Sequence, residues 1–239
     1  MVHRRARRRR RPIFVLSISR TAVYGLFLAC AVLVFAAGNI PFVPAGTGGP
    51  LSGQVVFIDP GHGGIDPGAV GRRVLEKDVD LAVAKHLGRL LVRFGARVVY
   101  SRTGDYELEL EEGADVEARL KLMKESRPTI VVSIHCNAFV SPAEYGAQTF
   151  YSANHPRSRL LAECIQELLK KETNTYREIS SRLDHFILNH ANVPAVTVEL
   201  GFLSNPEEEM LLEDPAYQEK LADIICRGIL AFVQSRGST

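Results

Sequence analysis

Short apolar runs alternate along the chain with longer segments in which apolar residues recur every three or four positions. The short runs are typical of strands buried on both faces, and the longer pattern is typical of amphipathic helices. Strands are predicted at 55–58, 96–100, 129–134, 147–151 and 195–198. Helices are predicted at 74–95 and 159–171, around Arg119 and Met123, and from Asp214-Pro215 onward. This alternation predicts an α/β fold with a mainly parallel central sheet and helices on both faces.

One apolar run, at 13–37, is much longer than the others. It follows a basic tail at 1–12 and precedes a Pro/Gly-rich linker at 38–53, which leaves 54–236 as a single catalytic domain. Its one charged residue is Arg20, whose stem can lie in the apolar layer while the guanidinium reaches the headgroups. A run of this length can span a bilayer, and arginines before it are typical of the cytoplasmic side. We therefore predict a transmembrane signal anchor with the domain outside the cytoplasm; a signal peptide cleaved after the run is the alternative.

The net charge of +2 conceals an uneven distribution of charged residues. Residues 1–50 hold eight Arg and no acidic residue, so the rest of the chain holds 21 Lys or Arg against 27 Asp or Glu. Such a mildly acidic domain lacks the basic surface that nucleic acids require. We predict no nucleic-acid partner.

The cysteines do not have the spacing of a disulfide framework. Cys30 lies in the long apolar run, Cys164 and Cys226 lie at core positions of predicted helices, and Cys136 directly follows His135. All four are expected to be buried free thiols.

Four residues suited to metal chemistry stand at the ends of predicted elements. His62, His135 and Glu199 each follow a buried strand, and Glu76 stands at the start of a helix. Parallel strands gather their carboxyl ends at one edge of a sheet, so these side chains can converge. Two imidazoles and a carboxylate make a catalytic zinc site with a position for water, whose pKa zinc lowers to about 7. A second glutamate could take up a proton and pass it to a leaving nitrogen. No local motif such as H-E-x-x-H assigns the two glutamates to these roles.

Other polar residues are assigned lesser roles. Asp59 either orients His62 or merely ends its strand, and Asn137 is a candidate for lining the substrate cleft. The acidic stretch at 105–117 is expected to be a solvated loop, with a lid over the site as the alternative. Surface or packing positions are expected for the remaining histidines of the domain, His86, His155, His185 and His190.

Four sequence blocks resemble the signature blocks of the zinc-dependent N-acetylmuramoyl-L-alanine amidases, and they occur in that family's order. They are IDPGHGGIDPGA at 58–69, LEKDVDLAVA at 75–84, VSIHCNA at 132–138 and VELGFLSNPEEE at 198–209. The single N-terminal anchor and the short domain look most like the germination-specific (CwlD-like) branch, which acts on spore cortex peptidoglycan.

The resemblance implies a function and a division of roles within the site. It implies Zn²⁺ bound by His62, Glu76 and His135, with Glu199 as the catalytic carboxylate. The implied reaction hydrolyses the amide between the lactyl group of N-acetylmuramic acid and L-alanine of the stem peptide, so the partners are peptidoglycan glycan strands and stem peptides. Two residues depart from the pattern: Cys136 stands where the family has a small or apolar residue, and His190 where many relatives have Asn.

Two other functions are compatible with the same residues. A zinc peptidase would use the same ligands to cut within the stem peptide, and a wall-binding module would keep the fold without catalysis. No motif in the chain identifies an activating protein partner.

Overall fold

The computed structural model describes residues 42–43, 48–109, 114–182 and 185–235. Its strands are β1 (Phe42–Val43), β2 (Val55–Pro60), β3 (Arg97–Tyr100), β4 (Ile130–Asn137), β5 (Gln148–Tyr151), β6 (Ser180–Ser181) and β7 (Ala195–Phe202). Its helices are α1 (Glu76–Arg93), α2 (Ala114–Ser126), α3 (Ser158–Glu172), α4 (Phe186–Asn189), α5 (Pro206–Glu213) and α6 (Pro215–Gln234). These elements confirm the predicted α/β class.

The seven described strands form one sheet in the order β1-β3-β2-β4-β7-β5-β6. The central strands β3, β2, β4 and β7 are parallel, whereas β1 is antiparallel to β3 and β5 is antiparallel to β7. The prediction of a mainly parallel sheet was therefore wrong, because the sheet is mixed. The reason lies in the connection from β4 to β5, which contains no helix. Parallel strands need a long crossover between them, so β5 returns from the edge where β4 ends.

Helices cover both faces of the sheet. On one face, Ile58, Ile134 and Val198 belong to a large core shared with α1, α3 and α6. On the other face, Phe57 and Val131 pack in a smaller core with α2 and α4. Burial on both faces explains why β2, β4 and β7 read as continuous apolar runs.

Strands β4 and β7 run beyond the ends predicted at 134 and 198. His135 and Glu199 consequently lie within the strands, as partners in the parallel register. The ladder shifts register just after this pair, between His135 and Asn137. Polar residues ended the apolar pattern there, but they did not end the backbone hydrogen bonding.

Two helices that the sequence analysis did not predict are α4 and α5. Helix α5 begins with Pro206, and the Asn205 side chain accepts hydrogen bonds from the Glu207 and Glu208 amides. The same arrangement starts α6, where Asp214 accepts from Ala216 ahead of the predicted helix. Asn205-Pro206 is thus a helix-cap signal, but the helix that follows is too short to show a clear helical period.

The predicted basic tail and transmembrane anchor at 1–37 lie outside the described residues. Within the part of the chain that the structure describes, no helix combines the length and apolar character needed to cross a membrane. Part of the predicted linker at 38–53 is described, and it contacts the domain. Phe42–Val43 pairs with β3, and Leu51 is fully buried in the larger core.

The cysteines of the described residues are free thiols, as predicted. Cys136 and Cys226 are buried, whereas Cys164 is partly exposed. Cys30 lies outside the described residues.

Candidate metal centre

His62 lies in the loop that leaves β2 at the carboxyl edge of the sheet. Its φ of +56° is left-handed, which costs a non-glycine residue on the order of 1–3 kcal/mol. Two buried arginines hold this loop by its carbonyl oxygens. Arg119 donates to Pro60 and His62, while Arg102 donates to Pro60 and Gly61. The strained conformation is therefore fixed by charge-assisted hydrogen bonds from outside the loop.

The imidazoles of His62 and His135 converge on the carboxylate of Glu76. Glu76 Oε1 lies 3.1 Å from His62 Nε2 and 3.0 Å from His135 Nδ1. The two rings meet edge to face, with centroids 5.1 Å apart. The convergence expected from the strand ends and the helix start is present: β2, β4 and α1 bring these three predicted residues together.

Asp80 is a fourth member of this cluster, and the sequence analysis missed it. One potential donor atom from each of His62, Glu76, Asp80 and His135 lies within 4.8 Å of the others. Asp80 is fully buried and stands four residues after Glu76 on α1, so both carboxylates lie on one helix face. A signal was available, because the helical spacing of Val79 and Val83 predicts that Asp80 points inward.

Neighbouring groups orient the donors. Asp66 Oδ2 lies 2.7 Å from His62 Nδ1, which leaves His62 Nε2 facing Glu76. The amides of Ala69 and Cys136 donate to the two carboxylate oxygens of Glu76, at 2.7 and 3.0 Å. The orienting partner of His62 is thus Asp66.

Asp59, which was considered for that role, pairs with other groups. It lies 3.0 Å from Arg119 Nη1 and accepts from Ser133 Oγ, also at 3.0 Å. Asp66 was missed because the Gly-rich loop gives no indication of how its backbone folds back toward His62.

Glu199 is the register neighbour of His135 on β7 and is 6% exposed. Its Oε2 has no hydrogen-bond partner among the described residues, and the same holds for Asp80 Oδ2. Burial raises the pKa of Glu199; His135 opposes this rise and Glu76 adds to it. Two buried carboxyl groups therefore each present an unsatisfied oxygen close to the imidazoles.

Mutual interactions shift the pKa values of the converging groups. Burial raises the pKa of Glu76, but the hydrogen bonds and charges of His135 and His62 outweigh burial and hold that pKa well below its usual value. Burial lowers the pKa of His62, but the carboxylates of Glu76 and Asp66 outweigh it, so the pKa lies above its usual value. A cation binding here would therefore compete with a proton on His62.

A cleft of about 240 Å³ opens next to His62 and His135. Its polar floor comes from three register neighbours in the sheet, Asp59, Ser133 and Thr197. Helix α4 and its flanking residues supply a wall of His185, Phe186, Ile187 and Leu188. The cleft therefore offers both hydrogen-bonding groups and apolar surface to an extended substrate.

His185 is placed differently from the other lesser histidines. Its Nδ1 lies 2.9 Å from Thr197 Oγ1, and its ring centroid lies 6.4 Å from that of His135. It lines the cleft in addition to packing on Phe150. In contrast, the remaining three make contacts away from the cleft: His86 with Arg89 and with Glu219 on α6, His155 with the Arg157 amide and His190 with the Phe186 carbonyl.

Asp115 and Val116, from the acidic stretch at 105–117, line the cleft, whereas Asn137 does not. Asn137 is outside the cleft, where its carbonyl oxygen accepts from the Leu203 amide. Asp105 and Glu107 accept from the amides of Gly64 and Asp66, so the described start of the stretch contacts the His62 loop. The end of the stretch already belongs to α2, and residues 110–113 between them are outside the described part.

The residues present fit a divalent metal ion. Donors about 2.0–2.1 Å from a tetrahedral zinc ion are separated by about 3.3 Å, close to the 3.0 and 3.1 Å between Glu76 Oε1 and the imidazole nitrogens. Imidazole and carboxylate are both common zinc ligands. A cation would also offset the charge of Asp80 and Glu199, whose Oδ2 and Oε2 atoms have no hydrogen-bond partner in the described part of the chain.

Comparison with known families decides which proteins this site belongs with. The family model described as N-acetylmuramoyl-L-alanine amidase matches residues 56–231, which contain the whole cluster and Glu199. The chain belongs to the N-acetylmuramoyl-L-alanine amidase family. The resemblance of the four sequence blocks is thereby confirmed, and so is the prediction of a peptidoglycan-cleaving enzyme that acts outside the cytoplasm.

Individual amidases are similar over most of their length. The germination-specific N-acetylmuramoyl-L-alanine amidase of Bacillus subtilis (strain 168) is 38% identical over 197 residues, covering 79% of this chain and 83% of that protein. The CwlD amidase of Clostridioides difficile, solved in complex with the GerS lipoprotein, is 39% identical with a TM-score of 0.71, covering 76% of this chain and 99% of that one. An amidase structure from Clostridium difficile 630 is 32% identical with a TM-score of 0.70, covering 77% and 98%.

Proposed function

We propose that this amidase hydrolyses the bond between the lactyl group of N-acetylmuramic acid and L-alanine of the stem peptide, with Zn²⁺ held by His62, Glu76 and His135. The observation that carries the proposal is the convergence of both imidazoles on Glu76 Oε1, with the buried carboxyl group of Glu199 alongside. A bound zinc ion supplies Lewis-acid polarisation of the amide carbonyl and a lower pKa for water.

The protein's part begins with orienting the ligands. The Asp66 carboxylate accepts the Nδ1 proton of His62, which leaves the Nε2 lone pair directed at the cluster. The Ala69 and Cys136 amides fix the plane of the Glu76 carboxylate. Because β4 and α1 are rigid elements of the core, they hold His135 and Glu76 at a constant separation.

Glu199 moves the proton in this proposal. Its carboxylate accepts a proton from the attacking water at Oε2, the oxygen that has no hydrogen-bond partner among the described residues, and then delivers that proton to the departing nitrogen of L-alanine. Burial favours this role because it raises the pKa of Glu199 toward the range in which a carboxyl group both accepts and returns a proton.

The biological setting is proposed from the relatives. Similarity to a germination-specific amidase and to CwlD favours spore cortex peptidoglycan as the substrate. The CwlD structure contains the GerS lipoprotein, so we propose that a lipoprotein partner also binds this chain. The apolar run at 13–37 would anchor the enzyme in the membrane beside such a partner.

A peptidase acting within the stem peptide and a non-catalytic wall-binding module are the competing functions. Both are less well supported. The family assignment favours cleavage next to muramic acid over cleavage within the peptide. A binding module has no physical need for a buried carboxyl group beside the cluster, and burying Glu199 without a full set of hydrogen bonds destabilises the fold.

The variant Glu199→Gln tests the division of roles. Glutamine keeps the size of the side chain but cannot accept the proton, so amide cleavage should fall by about 100- to 10,000-fold. Zinc content, measured by atomic emission on the same sample, should stay near one ion per chain. Glu125→Gln is the matched control, because Glu125 is exposed at the end of α2, and it should cleave at the wild-type rate.

Two results would contradict these roles. Loss of zinc from Glu199→Gln would make Glu199 a ligand. Cleavage at the wild-type rate would assign proton transfer to another group, and Glu76 would be the first to examine.

A further inference from the structure

Asp80 is a fully buried carboxyl group that the proposed mechanism does not use. Its Oδ2 has no hydrogen-bond partner among the described residues. Its Oδ1 is contacted by the Cys136 thiol, with the sulfur 3.6 Å away. A thiol is a weak donor, so this contact compensates little of the cost of removing a carboxyl group from water.

The position of Asp80 relates it to the metal cluster. Its donor atom is within 4.8 Å of the donor atoms of His62, Glu76 and His135. Gly61 lies where Asp80 and His135 approach each other. A methyl group added to Gly61 would lie 2.8 Å from Asp80 Oδ2 and 2.5 Å from His135 Nδ1, closer than side chains tolerate. Glycine at this position therefore lets both groups approach the same small volume.

The surroundings of Asp80 favour a bound cation. Its carboxyl group is fully buried and shares a small volume with the carboxylate of Glu76. An acid that was only structural would be costly here, because a buried and unpaired polar group destabilises a protein by about 1–3 kcal/mol. A divalent ion between the imidazoles and the carboxylates would instead make the buried Asp80 carboxylate favourable, because it supplies the missing positive charge.

We propose that Asp80 is a fourth protein ligand, binding the metal through Oδ2 in the resting enzyme. The inference rests on the proposed zinc site and adds a property to it. Three protein ligands leave a coordination position open, as in catalytic sites, whereas four close the coordination shell, as in structural sites. The resting enzyme would then hold its metal tightly in a closed set, and substrate would have to displace Asp80 or raise the coordination number.

Metal affinity and coordination in the full-length chain test this proposal. In Asp80→Asn the metal should bind at least roughly 100-fold more weakly in a chelator competition, since altering groups behind a ligand already costs 10- to 100-fold. With Co²⁺ in place of zinc, the wild type should give the strong visible absorption of four-coordinate cobalt. Asp80→Asn should give a spectrum that changes with pH, as the water bound in place of Asp80 loses a proton, whereas the wild-type spectrum should not change with pH.

Two matched variants separate ligation from indirect effects. Asp78→Asn makes the same change at an exposed position of the same helix and should leave affinity and spectrum unaltered. Cys136→Ala removes the thiol that contacts Asp80 Oδ1 and should retain the four-coordinate spectrum.

Several outcomes would overturn the proposal. Unchanged affinity in Asp80→Asn would do so, as would weaker binding with an unchanged cobalt spectrum. If Asp80→Asn does not fold, the wild-type spectrum decides, because a five- or six-coordinate spectrum, or one that changes with pH as a bound water ionises, contradicts a closed set. Failure of the zinc site itself is distinguishable, since the wild type would then bind no stoichiometric metal.

Discussion

Asp59 and Arg119 form a buried ion pair beneath the His62 loop, where they are 3% and 4% exposed. Removing one member of such a pair leaves an uncompensated charge, which typically costs about 3–5 kcal/mol. Arg119 keeps a second partner in Asp115, so we expect Asp59→Ala to lower the free energy of unfolding by about 3 kcal/mol. Denaturant titration measures this, with exposed Asp78→Ala as the control. A loss below about 1 kcal/mol would contradict the pairing.

The same pair has a predictable pH dependence. Burial raises the pKa of Asp59, but the charge of Arg119 and the hydrogen bonds of Asp59 outweigh burial, so its pKa lies below 3.8. A depressed pKa stabilises the fold above the unfolded-state value, and that stabilisation is lost as pH falls through the folded-state value. The stability difference between wild type and Asp59→Ala should therefore be constant from pH 7 to about pH 5 and shrink below pH 3.8. A difference that shrinks near neutral pH would contradict this assignment.

The residues of the site differ in how far the sequence could predict them. His62, Glu76, His135 and Glu199 were identifiable because each closely follows an apolar run or starts a predicted helix. The pairing of Asp59 with Arg119 was not, since the partners are 60 positions apart and approach only in the folded chain. The sequence pattern could not reveal which polar atoms are left unsatisfied after folding, a property that Asp80 shares with Glu199.

Helix α1 packs closely on β3 at Gly88. A methyl group added there would overlap the Tyr100 hydroxyl oxygen and lie 2.6 Å from Tyr100 Cζ. Glycine to alanine within a helix normally stabilises it by about 0.5–1 kcal/mol, but overpacking costs about 1–3 kcal/mol. We expect Gly88→Ala to lower stability by about 1–2 kcal/mol in thermal unfolding. In a Tyr100→Ala background the same substitution should be neutral or stabilising, and an equal loss in both backgrounds would contradict this packing.

The elements with long apolar patterns were predicted, whereas the two-residue strands β1 and β6 and the short helices α4 and α5 were not. Strands β2, β4 and β7 and helices α1 and α6 have long apolar patterns that their burial explains. Helix α4 has only four residues, too few to establish a helical period. The antiparallel direction of β5 depends on the path of the preceding loop, which the strand's own side chains do not encode.

At the level of the whole molecule, the sequence predicts a topology as well as a fold. The arginines before the apolar run at 13–37 should stay in the cytoplasm and place the amidase domain outside. In protoplasts that express the full chain, added protease should degrade the domain while a cytoplasmic control protein survives. If both proteins survive, the topology is inverted and the enzyme cannot reach the wall.

This chain should cleave the bond between muramic acid and L-alanine, and it should need a metal to do so. Mass spectrometry of purified peptidoglycan after incubation with the full chain and Zn²⁺ tests it most directly. We expect glycan strands with free lactyl carboxyl groups and intact stem peptides beginning with L-alanine. Both products should disappear with a chelator and return with added zinc. Stem peptides cut internally, with L-alanine still on muramic acid, or identical products in the presence of chelator, would contradict the account.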